Sequence, residues 1–200
     1  MAVEQLSGKA ATQERILAAA TELFLENGYE KTTVAQVAQL AGVSRATVFW
    51  HFSDKAGLFR EAFNRLVDPF RESLERSFED LDPEKRLHEQ ISLYQSFTGQ
   101  HRMALEGFVR WAMEAQEFRD WLITTLLDMH QRYTGVLTES ISELAPPEVD
   151  ARSLAVGLII LLDGDMLMSW FDPSRHRSEE RSLGVDTYAA LIPRRVRHAR

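Results

Sequence analysis

The sequence contains no cysteine, so it can form neither a disulfide nor a thiolate metal site. This fits a reducing compartment, and we expect a cytoplasmic protein. Residues 1–11 lack the apolar core of a signal peptide. One apolar run, residues 154–171, approaches bilayer-spanning length but carries Asp163 and Asp165 near its middle. Because a charge at that depth costs about 2.5–3.5 kcal/mol, the run predicts a buried helix rather than a membrane span.

Sequence motifs of the common enzyme classes are also missing. There is no G-x-S-x-G, no G-x-G-x-x-G and no P-loop. His88-Glu89 lacks the second histidine of a zinc protease, and Asp163-x-Asp165 lacks the further oxygen ligands of an EF-hand. We therefore expect a protein that is not an enzyme and that holds no metal and no cofactor.

The acidic charge is unevenly distributed along the chain. The net charge is −7, yet residues 1–60 contain six basic and six acidic side chains. Residues 61–193 contain thirteen bases against twenty-four acids. An acidic body with a locally basic N-terminal edge, from Arg45 to Arg60, can still bind phosphates through that edge.

Helical periodicity runs through nearly the whole chain, and nothing alternates like a strand, which predicts an all-α fold of about nine helices. The first is expected over about 13–27, capped by Thr12 and ended by Asn27-Gly28. The next two are expected over 34–40 and 45–51.

The remaining helices begin with one that starts near Lys55, capped by Ser53 or Asp54. Pro69 is expected to kink or end this fourth helix, because proline lacks an amide and clashes with the preceding turn. Five later helical segments lie at about 87–97, 108–115, 122–144, 149–170 and 183–192.

The stretch VAQVAQLAGVSRATVF, residues 34–49, has the spacing of a helix-turn-helix. Thr33 and Gln36 form a capping box, and Ser44 caps the second helix of the pair. Ala38 allows the helices to approach, and Gly42 permits the positive φ of the turn. Val43 and Val48 fill the space between the two helices. The first turn of the second helix then exposes Arg45, Ala46 and Thr47.

Residues 12–63 resemble the TetR family of transcriptional regulators. The shared elements are Asn27-Gly28-Tyr29, Thr32-Thr33, Ala41-Gly42-Val43-Ser44, Thr47, His51-Phe52 and Lys55 before an apolar pair. The resemblance implies a DNA-binding domain at 1–56 and a helical ligand-binding and dimerisation domain at 57–200. It implies DNA contacts by Thr33, Ser44, Arg45, Ala46, Thr47, Phe49, Trp50, His51 and Lys55.

These implied contacts have distinct chemistry. Thr33 and Lys55 suit phosphates, and Arg45 suits guanine O6 and N7 together. Thr47 suits a phosphate or a thymine methyl. The family usually has tyrosine where Phe49 stands, so Phe49 lacks the hydroxyl that reaches DNA. In the alternative interpretation, Trp50 and His51 only pack and Lys55 is merely solvated.

The C-terminal half is rich in large, adaptable side chains, which are either core residues or walls of a ligand cavity. The resemblance implies a cavity for a small, mostly apolar effector, and acidic side chains there hint at a cationic one. Asp163 and Asp165 point about 200° apart on a helix and cannot share a role. The candidate ligand-binding residues are Phe97, His101, Phe108, Trp111, Thr125, Met129, Tyr133, Asp163 and Met166.

The resemblance implies a homodimer whose interface includes the helix face carrying Gly157 and Gly164, seven residues apart. The sequence thus predicts a ligand-responsive transcriptional repressor that leaves a palindromic operator when its effector binds. Two alternatives stay open: a helical binding module that senses a ligand or protein without DNA, and an activator instead of a repressor.

Overall fold

The computed structural model describes residues 2–75, 80–114, 116–172, 187, 189–190 and 192–193, and within these ranges it does not describe the side chains of residues 2–7, 75 and 111–117. The described residues form eight helices and no strand, which confirms the all-α prediction. The ninth predicted helix, 183–192, lies mostly outside the described residues. The helices are α1 (Ala2–Lys31), α2 (Val34–Leu40), α3 (Arg45–His51), α4 (Lys55–Glu75), α5 (Pro83–Gln100), α6 (Arg102–Glu114), α7 (Gln116–Leu144) and α8 (Ala151–Phe171).

Helix α1 begins well before the predicted start. The Thr12 hydroxyl donates to the Gly8 carbonyl at 2.8 Å inside the helix, so the prediction that Thr12 caps it is wrong. The preceding residues continue the helical hydrogen bonding, which makes a cap at this position unnecessary. The regular helix is interrupted where predicted, at Gly28, which has φ 80° and ψ 170°.

The helix-turn-helix has the predicted bounds and caps. The Gln36 amide donates to Thr33 Oγ1 at 3.2 Å, and the Thr33 amide donates to Gln36 Oε1 at 2.8 Å, which completes the capping box. The Thr47 amide donates to Ser44 Oγ at 3.0 Å. Gly42 has φ 66°, as the turn requires. Local side-chain chemistry thus fixes the start of α2 and the start of α3.

Helix α4 continues through Pro69 to Glu75, so of the two predicted outcomes, a kink or an end, the end at the proline is wrong. Proline in a helix interior costs about 3 kcal/mol or more. The burial of Val67, Phe70 and Leu74 on either side of Pro69 offsets that cost. At the start of the helix the Gly57 amide donates to Asp54 Oδ1 at 2.6 Å, so the cap is Asp54.

The chain divides into two compact units. Unit 1 comprises Met1–Pro69 and Met103–Gln116, and unit 2 comprises Phe70–Arg102 and Glu117–Arg200. The core of unit 1 contains an aromatic cluster of Phe24, Phe59, Phe63 and Phe108, with neighbouring ring centroids 5.0–5.3 Å apart. The core of unit 2 is built on α5, α7 and α8 and includes Tyr94, Tyr133, Leu137, Ile141, Leu158 and Leu162.

Helix α8 buries one face and exposes the other. Ala155, Leu158, Ile159 and Leu162 are buried in unit 2. The opposite side, here called the apolar α8 face, exposes Val156, Ile160, Leu161, Leu167, Met168 and Phe171. Within the chain only one side of α8 packs, so the prediction of a buried helix holds for that side alone. By length and composition α8 could also cross a membrane, with a mean hydropathy of 1.7.

Candidate nucleic-acid interface and effector region

The predicted base-reading residues lie on one exposed side of α3. Arg45 and Ala46 are exposed, and so are Phe49 and Trp50, which follow them by four residues on the same helix face. Phe49 is 46% exposed and Trp50 is 66% exposed, whereas Val48 is 1% exposed and packs inward. The side of α3 opposite its packed seam is therefore open to a partner.

The polar residues around this face are held in place by local hydrogen bonds. Ser44 Oγ and Thr47 Oγ1 are 2.8 Å apart, with Ser44 exposed and Thr47 half-buried. Thr33 is exposed, and its hydroxyl donates to Gln36 Oε1 at 2.8 Å. Arg45 has no hydrogen bond or ion pair with any described side chain. Its guanidinium thus retains its donors for a partner molecule.

Two lysines of unit 1 lie over aromatic rings. The Lys55 ammonium is 4.1 Å from the Tyr29 ring centroid and donates to the Glu30 carbonyl at 3.4 Å. The Lys9 ammonium is 4.6 Å from the Trp50 ring centroid. Sequence reasoning found Lys55 but missed Lys9, because it placed Lys9 before the start of the first helix.

His51 packs against the ring of Trp50 at the end of α3. Its ring is edge-on to Trp50, with centroids 4.8 Å apart, and it is half-buried. Burial lowers the pKa of His51 below its usual value, and the positive charge of Lys9 lowers it further. In the free protein His51 is therefore mainly neutral at neutral pH.

In unit 2 a polar network joins three helices. The Asp163 carboxylate of α8 accepts hydrogen bonds from the Tyr94 hydroxyl of α5 and, at 2.9 Å, from His130 Nε2 of α7. Met166 Sδ lies 4.0 Å from the same hydroxyl. The neighbouring Tyr133 hydroxyl donates to the Gln90 carbonyl at 2.8 Å. Three predicted ligand residues, Asp163, Met166 and Tyr133, thus lie around Tyr94, with which Tyr133 stacks at 5.4 Å.

Each ring nitrogen of His130 lies within hydrogen-bond distance of an acceptor. Nδ1 lies 2.8 Å from the Leu126 carbonyl, and Nε2 faces the Asp163 carboxylate. Because both partners are hydrogen-bond acceptors, this arrangement favours the imidazolium form, in which both ring nitrogens donate. The hydrogen bond to Asp163 accordingly raises the pKa of His130, against the opposing effect of burial. Burial also raises the pKa of Tyr133, and the charge of Asp163 adds to this effect.

The raised pKa of His130 predicts a pH-dependent stability. The stabilisation is fully present below the unfolded value of about 6.5 and is lost as pH rises through the higher folded pKa. Urea unfolding of the wild type should therefore show a falling free energy of unfolding above about pH 6.5 that His130→Asn lacks. His88→Asn, at an exposed histidine, is the control. Identical pH profiles for wild type and His130→Asn would contradict the charged form.

A cavity of about 110 Å³ in unit 2 lies between α4 and α7. Of the predicted ligand residues, Met129 lines it, together with Arg71, Leu74, Arg132 and Val136. Drug-sized ligands occupy pockets of roughly 300–1,000 Å³, so this cavity holds only part of such a molecule without rearrangement.

The other predicted ligand residues are spread over both units. Phe97 stacks on Phe70 with centroids 4.6 Å apart, and His101 lies 5.1 Å from Phe97 with its pKa lowered by burial. The Thr125 hydroxyl donates to the Trp121 carbonyl at 2.8 Å. Phe108 is fully buried in unit 1. The side chain of Trp111 lies outside the described part of the chain.

Known regulators resemble the chain in sequence and in structure. Residues 16–62 match the family described as bacterial regulatory proteins, tetR family. The transcriptional repressor BepR of Brucella suis is 29% identical over 163 residues, which cover 80% of this chain and 71% of BepR. The transcriptional regulator TtgR of Pseudomonas putida is 28% identical, covering 80% of each chain.

A solved structure extends the likeness to nearly the whole chain. A transcriptional regulator from Rhodococcus sp. Rha1 is similar with a TM-score of 0.67 and 25% identity, covering 90% of this chain and 95% of that one. The matched segment contains the capped helix pair and the exposed α3 face described above. Residues 16–62 thus match the tetR family of bacterial regulatory proteins, and about 80% of the chain is similar to known transcriptional regulators.

Proposed function

We propose that this chain is a homodimeric repressor that leaves a near-palindromic operator when a small, mostly apolar effector binds. The observation that carries this proposal is the exposed α3 face, where Arg45 projects from a rigidly capped first turn. Residues 1–56 would bind DNA, and residues 57–200 would bind the effector and the second chain. We propose no catalytic activity, and a protein that binds an operator would work in the cytoplasm.

The proposed DNA contacts are of two kinds: some recognise base edges, and the others bind phosphates and position the protein on the duplex. Arg45 reads a base edge in the major groove, and Ala46 and Phe49 on the same face provide apolar contact. Thr33 and Lys55 bind phosphates on either side and set the register. Ring contact with Tyr29 holds the Lys55 ammonium in place and leaves its charge unneutralised.

The apolar α8 face is the proposed dimer interface, and its occupant is a second copy of this chain. Six large apolar side chains are exposed there on one helix, which is unusual unless a partner covers them. Gly164 follows Ile160 by four residues, and a Cβ at Gly164 would meet nothing within 4 Å in its own chain. Close approach of a second backbone is therefore possible at the position predicted from Gly157 and Gly164. A dimer would place two α3 helices about 34–36 Å apart, as successive major grooves require.

The effector would act through α4, because this one helix contains both a proposed DNA contact and part of the cavity wall. Lys55 is its first residue, whereas Arg71 and Leu74 line the cavity near its other end. An effector that enlarges this cavity shifts α4 and favours a dimer with a different spacing of the α3 helices. Operator affinity then falls by no more than the effector's differential affinity for the two states.

The test is selection of bound sequences from a random duplex pool, followed by affinity measurements on the selected duplex. We expect a palindrome, and we expect Arg45→Ala to cost about 1–3 kcal/mol per contact and to relax the preference at one position of each half-site. Arg119→Ala, at an exposed arginine of unit 2, should leave the affinity and the base preference unchanged. If no sequence is enriched at low salt and Arg45→Ala changes nothing, the chain is a binding module that does not read DNA.

A further inference from the structure

Lys9 and Trp50 form a contact between the beginning of α1 and the end of α3. The ammonium lies 4.6 Å from the ring centroid, within the range of a cation–π interaction. Lys9 is exposed, and Trp50 is 66% exposed, so the pair lies at the protein surface. Lys9 also precedes the segment that matches the tetR family, which begins at residue 16, so the family match assigns it no role.

The ring contact positions the ammonium without neutralising it. Among the described side chains, no carboxylate lies within ion-pair distance of Lys9. A ring face attracts a cation through its quadrupole, and the charge of the ammonium remains available to an anion. The pairing of Lys55 with Tyr29 has the same form. Both lysines are thus held as charged donors at the surface of unit 1.

The position of Lys9 relative to the α3 face indicates which anion it meets. Trp50 lies on the same side of α3 as Arg45, four residues after Ala46. A helix that presents this side to the floor of the major groove, about 12 Å wide, has a phosphate backbone along each edge. Lys9 lies beside the last turn of α3, where a backbone edge would run if α3 entered the groove in this way. Burial and, to a smaller extent, the positive charge of Lys9 lower the pKa of His51, which follows Trp50 in α3.

We propose that Lys9 binds a DNA phosphate and that the Trp50 ring holds its ammonium in position to do so. The anion is a backbone phosphodiester of the duplex on which α3 lies. Lys9 would therefore add to affinity uniformly across sequences and would contribute nothing to base preference. This inference rests on the proposed function, since it needs α3 to dock on DNA.

The experiment measures the salt dependence of binding to the duplex selected above, between about 50 and 200 mM salt. The variants are Lys9→Gln, Lys9→Arg and, as a control, Lys85→Gln at an exposed lysine of unit 2. In a dimer, Lys9→Gln should reduce the slope of log affinity against log salt by about 0.9 for each of the two lysines. Lys9→Arg should restore the slope, and Lys85→Gln should not change it. Trp50→Leu should weaken binding less than Lys9→Gln, and its effect should largely vanish in the Lys9→Gln background.

Two results would overturn the assignment. An unchanged slope in Lys9→Gln, while Arg45→Ala still relaxes base preference, would leave the proposed function standing and remove Lys9 from the interface. A loss of affinity with no change of slope would show that Lys9 only supports Trp50. If Arg45→Ala also has no effect, the proposed function fails together with the inference. Tryptophan fluorescence of the free protein tests the Lys9–Trp50 contact without DNA, since Lys9→Gln should alter the emission spectrum of the exposed Trp50.

Discussion

Replacing Ile160 with aspartate is expected to convert the proposed dimer into a monomer and to remove operator binding. Ile160 is 65% exposed in the single chain, so the substitution leaves the packed face of α8 intact. In a dimer the same carboxylate would be buried against apolar side chains without a partner, which is strongly unfavourable. Sedimentation should give a mass near that of one 22.9 kDa chain. Operator affinity should fall by about 10²–10⁴-fold, because each half-site then binds independently.

The matched control for this substitution is Met103→Asp. Met103 is an apolar residue of α6 that is 75% exposed, so the change adds the same charge at a surface outside the proposed interface. It should leave both mass and operator affinity unchanged. A dimer of undiminished stability in Ile160→Asp, with unchanged operator affinity, would show that the apolar α8 face has a different occupant. A membrane surface is one alternative, and vesicle flotation of the wild type would detect it.

The helix-turn-helix could be predicted to the residue because its determinants are local. The Thr33–Gln36 capping box, the Ser44 cap and the positive φ of Gly42 each involve residues at most three apart. Such contacts form whatever the rest of the chain does, so the sequence pattern suffices. The exposed side of α3 then follows from helical spacing alone.

Apart from the Thr12 cap, which failed because α1 begins earlier, the wrong predictions concern effects that local sequence patterns do not show. Burial on both sides of Pro69 offsets the cost of proline, and no local pattern shows this. Composition alone could not tell which side of α8 faces the core, because the helix is apolar on most sides. Lys9 was missed because the first helix was predicted to begin after it, and its contact with Trp50 joins residues far apart in sequence.

The polar network of unit 2 was only partly predictable. Asp163 stood out because it interrupts an apolar helix, and a buried acid requires a partner. Its partners could not be deduced, since Tyr94 and His130 lie on two other helices. Phe108 was placed with the ligand residues because a large aromatic side chain suits a cavity wall and a core equally well.

Phe108→Ala is expected to destabilise the protein by about 3–5 kcal/mol, the cost of removing a fully buried aromatic ring. The side chain is 0% exposed, and its ring lies 5.0 Å from Phe59 and 5.3 Å from Phe63 between centroids. Phe59 also packs edge-on to Phe24 of α1 with centroids 5.1 Å apart, so the loss of packing at Phe108 would also weaken the packing of α1. At about 2–4 °C per kcal/mol for a chain of this size, the Tm should fall by about 6–20 °C.

The same substitution decides between the two roles of Phe108. If Phe108 is a core residue, the variant should have a lower Tm, a lower free energy of unfolding in urea, and weaker operator binding even without effector. If Phe108 instead lines the effector cavity, the Tm and the operator affinity should stay unchanged. Only the effector concentration needed for release should rise. Met103→Ala, on the same helix but exposed, should change none of these quantities. Because the ring of Phe108 contacts two buried aromatic residues of unit 1, we expect the first outcome, which would make α6 part of the scaffold that supports the DNA-binding helices.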